Sequence, residues 1–153
     1  GYISSSPNVY NLEERRSGFL SALRTHDLSL APQDIIPTNS YSSDGVQRLK
    51  AALSDRSDIP TAFFCENDYT ALSLVSALIQ LGYSVPGDVS VIGFDDVPEC
   101  SLTTPPLSTV HVDRQALATA AVDRLHLLMT SPNITSQSIL VNVSIRMRAS
   151  VAE

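Results

Sequence analysis

The sequence predicts an α/β fold built on a doubly wound, mostly parallel sheet. Two short apolar runs carry that expectation, 61–68 (TAFFCEND) and 89–96 (VSVIGFDD), each stopping abruptly at polar and acidic residues. A parallel strand covered on both faces stays apolar along its length and turns polar where the sheet opens onto a ligand crevice. The third observation is the regular alternation of strand and helix signals with short connections, which calls for right-handed crossovers. Asn67, Asp68, Asp95 and Asp96 then share one rim, at the carboxyl ends of two strands.

The elements follow in order. Residues 1–5 form a short strand, followed by a loop with Pro7 and Asn8. From residue 12 to 25 the apolar positions Leu12, Phe19, Leu20 and Leu23 recur at helical spacing, with Asn11 as cap and Glu13–Glu14 in the first turn. Residues 34–38 are a brief strand. Ser43 or Asp44 caps a helix with Val46, Leu49, Ala52 and Leu53 on its apolar face. Strand 61–65 comes next, introduced by Pro60. Asn67 or Asp68 caps a helix to Leu81, and Gly82 ends it. Pro86 and Gly87 turn the chain into strand 89–94. Three prolines between residues 97 and 108 exclude a helix there. Asp113 or Arg114 opens the longest helical stretch, to Met129, and residues 139–148 alternate as an antiparallel edge strand.

Composition bounds the function. The 153 residues suffice for about one domain with a sizeable core, at 43% hydrophobic and 17% charged. No apolar run approaches the ~20 residues of a membrane span, and no export leader is visible. A net charge of −6 argues against this segment gripping nucleic acid, which needs a basic face. Cys65 lies inside an apolar strand and reads as a free buried thiol, which suits a reducing cytoplasm.

Several separated motifs resemble the effector-binding domain of LacI/GalR-type transcription regulators. EERRSGFLSAL resembles that family's first helix. PTAFFCENDYTALSLVSALIQLGYSVPGDVSVIGFDD resembles its central stretch, and TPPLSTVHVD, VDRL and a terminal strand with a late Arg follow its closing order. The resemblance implies a periplasmic-binding-protein-like lobe over residues 1–105. It further implies a returning strand and helix of the N-terminal lobe over 106–131 and a final strand of the C-terminal lobe over 132–153. The helix-turn-helix headpiece and the first half of the N-terminal lobe have no counterpart here, so the chain is expected to be a piece of a longer regulator. Residues 105–106 and 130–138 match the lobe crossovers and are hinge candidates.

The resemblance also implies a small-molecule effector, a sugar or a nucleobase, held by Arg15, Asn67 and Asp95, with Tyr41 stacking on it. Operator DNA would be bound only through the missing headpiece, by a homodimer in the cytoplasm. The chemistry is sensible on its own terms: a carboxylate accepts from two vicinal hydroxyls, an arginine offers a planar fork, and an asparagine both donates and accepts. Asp68 reads as a helix cap, and Asp96 equally as a brace of the following loop or a ligand contact. Cofactors and metals are not expected. No nucleophile elbow, phosphate loop or metal cluster is present, and His26, His111 and His126 have no motif around them, so an enzyme is not expected. A sugar-binding protein of a transporter is the alternative reading.

Overall fold

A computed structural model describes residues 1–5, 9–39, 43–131 and 135–152. Six strands form a single sheet: β1 (Tyr2–Ser4), β2 (Ile35–Pro37), β3 (Ala62–Cys65), β4 (Ser90–Asp95), β5 (Ser108–Val112) and β6 (Val143–Arg146). Their order across the sheet is β2-β1-β3-β4-β5-β6. The first five are parallel, and β6 joins β5 antiparallel with Val110 opposite Ile145. The helices are α1 (Tyr10–Thr25), α2 (Gly45–Ser54), α3 (Asp68–Gln80) and α4 (Arg114–Thr130). The doubly wound expectation is met, with the antiparallel edge where it was placed.

The core lies on one face of the sheet. Ile3, Phe63, Cys65 and Val91 point from the strands into a layer of Leu49 and Leu53 from α2 and Leu74 and Leu78 from α3, all essentially inaccessible to water. Each such leucine contributes about 2 kcal/mol of apolar transfer. Strand alternation sends Tyr2 and Phe64 to the opposite face, where Phe19 of α1 meets both rings at centroid distances of 5.4 and 5.3 Å. That face is thinly covered, and no residue of α1 is buried.

Helix α3 is specified at both ends. The Asn67 side-chain oxygen accepts from the Thr70 amide at 3.0 Å. At the other end Gly82 adopts φ +92°, and the Tyr83 and Gly82 amides donate to the Leu78 and Ile79 carbonyls, as in a Schellman cap. Two expected caps need correction. Helix α1 begins at Tyr10 after Val9, so Asn11 lies inside its first turn rather than capping it. Asp68 is not a cap either: Asn67 holds that place, and Asp68 turns inward.

The segment expected to return to another lobe divides in two. Residues of β5 pair in parallel with β4, Ile92 opposite Ser108 and Asp95 opposite His111, so this strand belongs to the same sheet as β1–β4. Helix α4, by contrast, has no buried residue. After β6 the chain runs back along the strands. Ser150, fully buried, donates from its hydroxyl to the Val91 carbonyl and accepts from the Ser108 amide.

Candidate functional site

The strand order creates the site. The chain leaves β1 toward β2 and leaves β3 toward β4, so a crevice opens between the carboxyl ends of β1 and β3, a topological switch point. Ser5 follows β1, Asn67 follows β3, and Asp95 ends β4, while the first two turns of α1 stand over the opening. A pocket of about 330 Å³ results, lined by Ser5, Asn67, Tyr69 and Asp95 and by Val9, Asn11, Leu12 and Arg15 of the α1 side. A shallower depression of about 450 Å³ lies at the amino ends of the strands, around Gly1, Gln33 and Asp58. Its walls include the Arg56–Asp34 ion pair, and no strand exit points into it.

Arg15 spans the crevice. One guanidinium nitrogen donates to the Glu66 backbone carbonyl oxygen at 2.5 Å, the other to Asp95 Oδ1 at 3.0 Å, and the guanidinium carbon lies over the Phe94 ring, 3.7 Å from its centre. The fork is thereby held in one orientation, with planar recognition geometry. Burial pushes the Asp95 carboxyl above its ordinary range, and the charge of Arg15 only partly offsets that. Asp95 and Asp96 also adopt φ of +112° and +54°, in a region that non-glycine residues seldom enter. Sparsely populated backbone of this kind collects at ligand sites, where it aims side chains that a relaxed strand end would not.

A buried carboxylate props up the rim from beneath. Glu66 Oε1 accepts from the Tyr2 hydroxyl at 2.8 Å, and Oε2 accepts from the Ser5 amide and hydroxyl at 2.6 and 2.9 Å. It thus ties the exit of β3 to that of β1 and fixes the carbonyl that Arg15 uses. Burial, reinforced by this acceptor, pushes the Tyr2 hydroxyl far above its ordinary pKa.

The two other acidic residues of the exits act structurally. Asp68 is fully buried, accepting from the Val97 amide at 2.9 Å and the Thr109 hydroxyl at 2.5 Å. It lies against Gly93, where an added Cβ would meet Asp68 Oδ1 at 2.2 Å. Burial, aided by a hydrogen bond to Asp68, pushes the Cys100 thiol up to about 12. Cys65 and Cys100 are both free and buried, matching the thiol reading of Cys65. Asp96 accepts from Arg148 at 2.6 Å and shares a hydrogen bond with His111 Nδ1 at 2.8 Å. Burial alone would raise its pKa, but these two partners outweigh burial and hold the carboxyl below its ordinary range.

Of the residues expected at the site, the structure brings Arg15, Asn67 and Asp95 to one pocket. Tyr41, and the middle of the 130–138 hinge candidate, lie outside the described residues. Tyr69 and Ser5 line the pocket without having been singled out, Asn11 lines it although it was expected only as a cap, and Glu66 was missed although it follows the apolar run directly. An acid at a strand exit was a signal in hand. Its partners, more than 60 residues away, were not. Among the described residues no cluster of His, Cys, Asp and Glu could hold a metal ion.

Residues 1–151 match the family model of the periplasmic binding protein-like domain. The chain belongs to that family. It is 31% identical, over 99% of its own length, to the HTH-type transcriptional repressor PurR of Mannheimia succiniciproducens, of which it spans 45%. Its fold superposes with a TM-score of 0.91 on a putative LacI transcriptional regulator from Bacillus cereus subsp. cytotoxis, at 26% identity, covering 99% of this chain and 54% of that one. A LacI-family regulator from Enterococcus faecium with bound ribose gives 0.84 at 27% identity, covering 99% and 55%. The periplasmic binding protein-like domain of this chain is accordingly similar to that of LacI-type transcription regulators. It spans about half the length of the relatives it matches. Those relatives are transcription regulators rather than enzymes, in agreement with the non-enzymatic expectation.

Proposed function

We propose that this chain is the effector-sensing part of a DNA-binding transcription regulator, taking a small polyhydroxylated molecule, a sugar first of all, between Arg15 and Asp95. The convergence of those two side chains on the switch-point crevice carries the reading. Neither charge stands alone there, which favours a neutral ligand able to insert hydroxyls into the pair. Asp95 accepts from vicinal hydroxyls, Arg15 donates to ring or hydroxyl oxygens, and Asn67 contributes its amide at the α3 end of the pocket. Tyr69 and Leu12 supply apolar wall for the carbon face of a ring. The ribose held by the Enterococcus relative fits the same chemical class.

In the intact regulator a second lobe closes over this half-site, and the ligand favours one arrangement of the lobes. That preference alters operator binding by a headpiece outside this chain, in a homodimer. The division into residues 1–105, 106–131 and 132–153 belongs to this reading, with β5 shared between sheet and crossing. The transporter alternative keeps only the common fold, since the relatives named above are regulators of transcription. No helix among the described residues is long and apolar enough to cross a membrane.

The test is thermal-shift screening of the intact protein against monosaccharides and nucleobases, followed by calorimetric titration of the compound giving the largest shift. Asp95→Ala should weaken its binding at least tenfold while unfolding stays cooperative. Unchanged affinity would remove Asp95 from the site.

A further inference from the structure

Beside the rim, Asp96 gathers three basic or titratable side chains from the three elements around α4. His111, in β5, meets Oδ2; Arg148, just after β6, meets Oδ1; and Arg114, the first residue of α4, donates to the Asp96 backbone carbonyl at 3.2 Å. Arg148 is itself anchored, donating from its second guanidinium nitrogen to the Leu107 carbonyl at 2.7 Å and from its amide to the Ser108 hydroxyl at 2.8 Å. The Asp96 carboxylate therefore joins the end of β4 to the strand entering α4 and to the segment after β6, and its backbone carbonyl holds the start of that helix.

Helix α4 has little else to hold it to the sheet. It has no buried residue, and Leu117, Val122, Leu125, Leu128 and Met129 are all exposed. Mid-helix, Arg124 donates to Gln137 Oε1 at 3.1 Å and to the Thr135 carbonyl, which ties α4 to the segment before β6 but not to the sheet. We infer that Asp96 latches the two chain crossings that flank α4 to the end of β4, and so sets where α4 stands relative to the rim at Asp95. Asp96 is a positioning residue: it works through His111, Arg114 and Arg148, and its place next to Asp95 in a left-handed turn joins the rim to the latch. Calling the latch part of effector sensing rests on the rim reading above. The latch itself does not.

The experiment uses no ligand. Nitroxide labels on Gln80→Cys of α3 and Val122→Cys of α4, both exposed sites, report their separation in the intact protein by electron–electron spin resonance. Cys65 and Cys100 are buried and stay unlabelled. Asp96→Asn and Arg148→Gln should each broaden the α3–α4 distance distribution about twofold, as expected of a released hinge element. Arg148→Lys, which keeps the charge, should leave it narrow. A control pair on Gln47→Cys and Gln80→Cys, between α2 and α3, should not change. An unchanged α3–α4 distribution in both Asp96→Asn and Arg148→Gln overturns the latch, as does equal broadening of the control pair. Should Asp96→Asn fail to fold, the contrast between Arg148→Gln and Arg148→Lys decides. Failure of the rim reading would show separately, as unchanged effector affinity in Asp95→Ala.

Discussion

Arg15 and Asp95 meet at 3.0 Å across the crevice, yet the pairing leaves the carboxylate less comfortable than it would be in water. Burial outweighs the neighbouring charge, so the folded chain binds the Asp95 proton more tightly than the unfolded chain does. Between ~3.9, the ordinary value for an aspartate, and the higher folded value, the folded state holds more protons. Stability from this group therefore falls as pH rises through that window. Asp95→Asn removes the titration and keeps a residue tolerant of positive φ. At pH 7 the variant should melt at a higher temperature than the parent, and the gap should close toward pH 3. Paired melts across that range check it, and a variant less stable at pH 7 contradicts the account.

Asp96, the next residue, should respond in the opposite sense. Its folded value is depressed because bonds from Arg148 and His111 outweigh burial. Its contribution is present above ~3.9 and is lost as pH falls through the lower folded value. Asp96→Asn should cost about 1.5–3 kcal/mol at pH 7, the usual loss for charge-assisted bonds. In chemical denaturation that difference should shrink as the parent is acidified. Two adjacent acids on one turn thus give stability differences of opposite sign.

The contrast shows which parts of the molecule can be read from the chain. Strand and helix alternate legibly because their apolar periods differ, and Asn67 and Gly82 mark the ends of α3 by local chemistry alone. Asp95 and Asn67 stand out because polar residues break an apolar run. Arg15 reached the site only through the resemblance, since nothing local separates it from Arg16. The resemblance set Asp95 apart from Asp68 and Asp96, but what those two hold was beyond reach. It is decided by Thr109, Val97, His111 and Arg148, which folding delivers from 15 to 52 positions away.

Glu66 should prove essential to the rim although no ligand need touch it. It sits 3% exposed with three donors from β1 and its exit. Glu66→Ala would leave the Ser5 amide and the Tyr2 hydroxyl buried and unsatisfied, at about 2–4 kcal/mol. Tyr2→Phe removes one donor and should cost nearer 1 kcal/mol. Urea denaturation of both variants gives the ordering. Equal losses would mean that Glu66 serves mainly Tyr2.

Gly93 offers the sharpest steric test. Its backbone lies where the fully buried Asp68 carboxylate crosses β4, and a methyl group there would stand 2.2 Å from Oδ1 and 3.3 Å from the Ala71 side chain. Asp68 cannot give way freely, because Thr109 on β5 and the Val97 amide hold its two oxygens. Gly93→Ala must therefore either spread α3 from the sheet or break those bonds, at about 2–4 kcal/mol by overpacking and lost hydrogen bonds together. Asp68→Ala should destabilise by itself, but combined with Gly93→Ala it should cost less than the two changes summed, since the clash disappears with the carboxylate. A double-mutant cycle by denaturation measures this coupling. Simple additivity would mean that the pressure on Gly93 comes from Ala71 and the helix backbone instead.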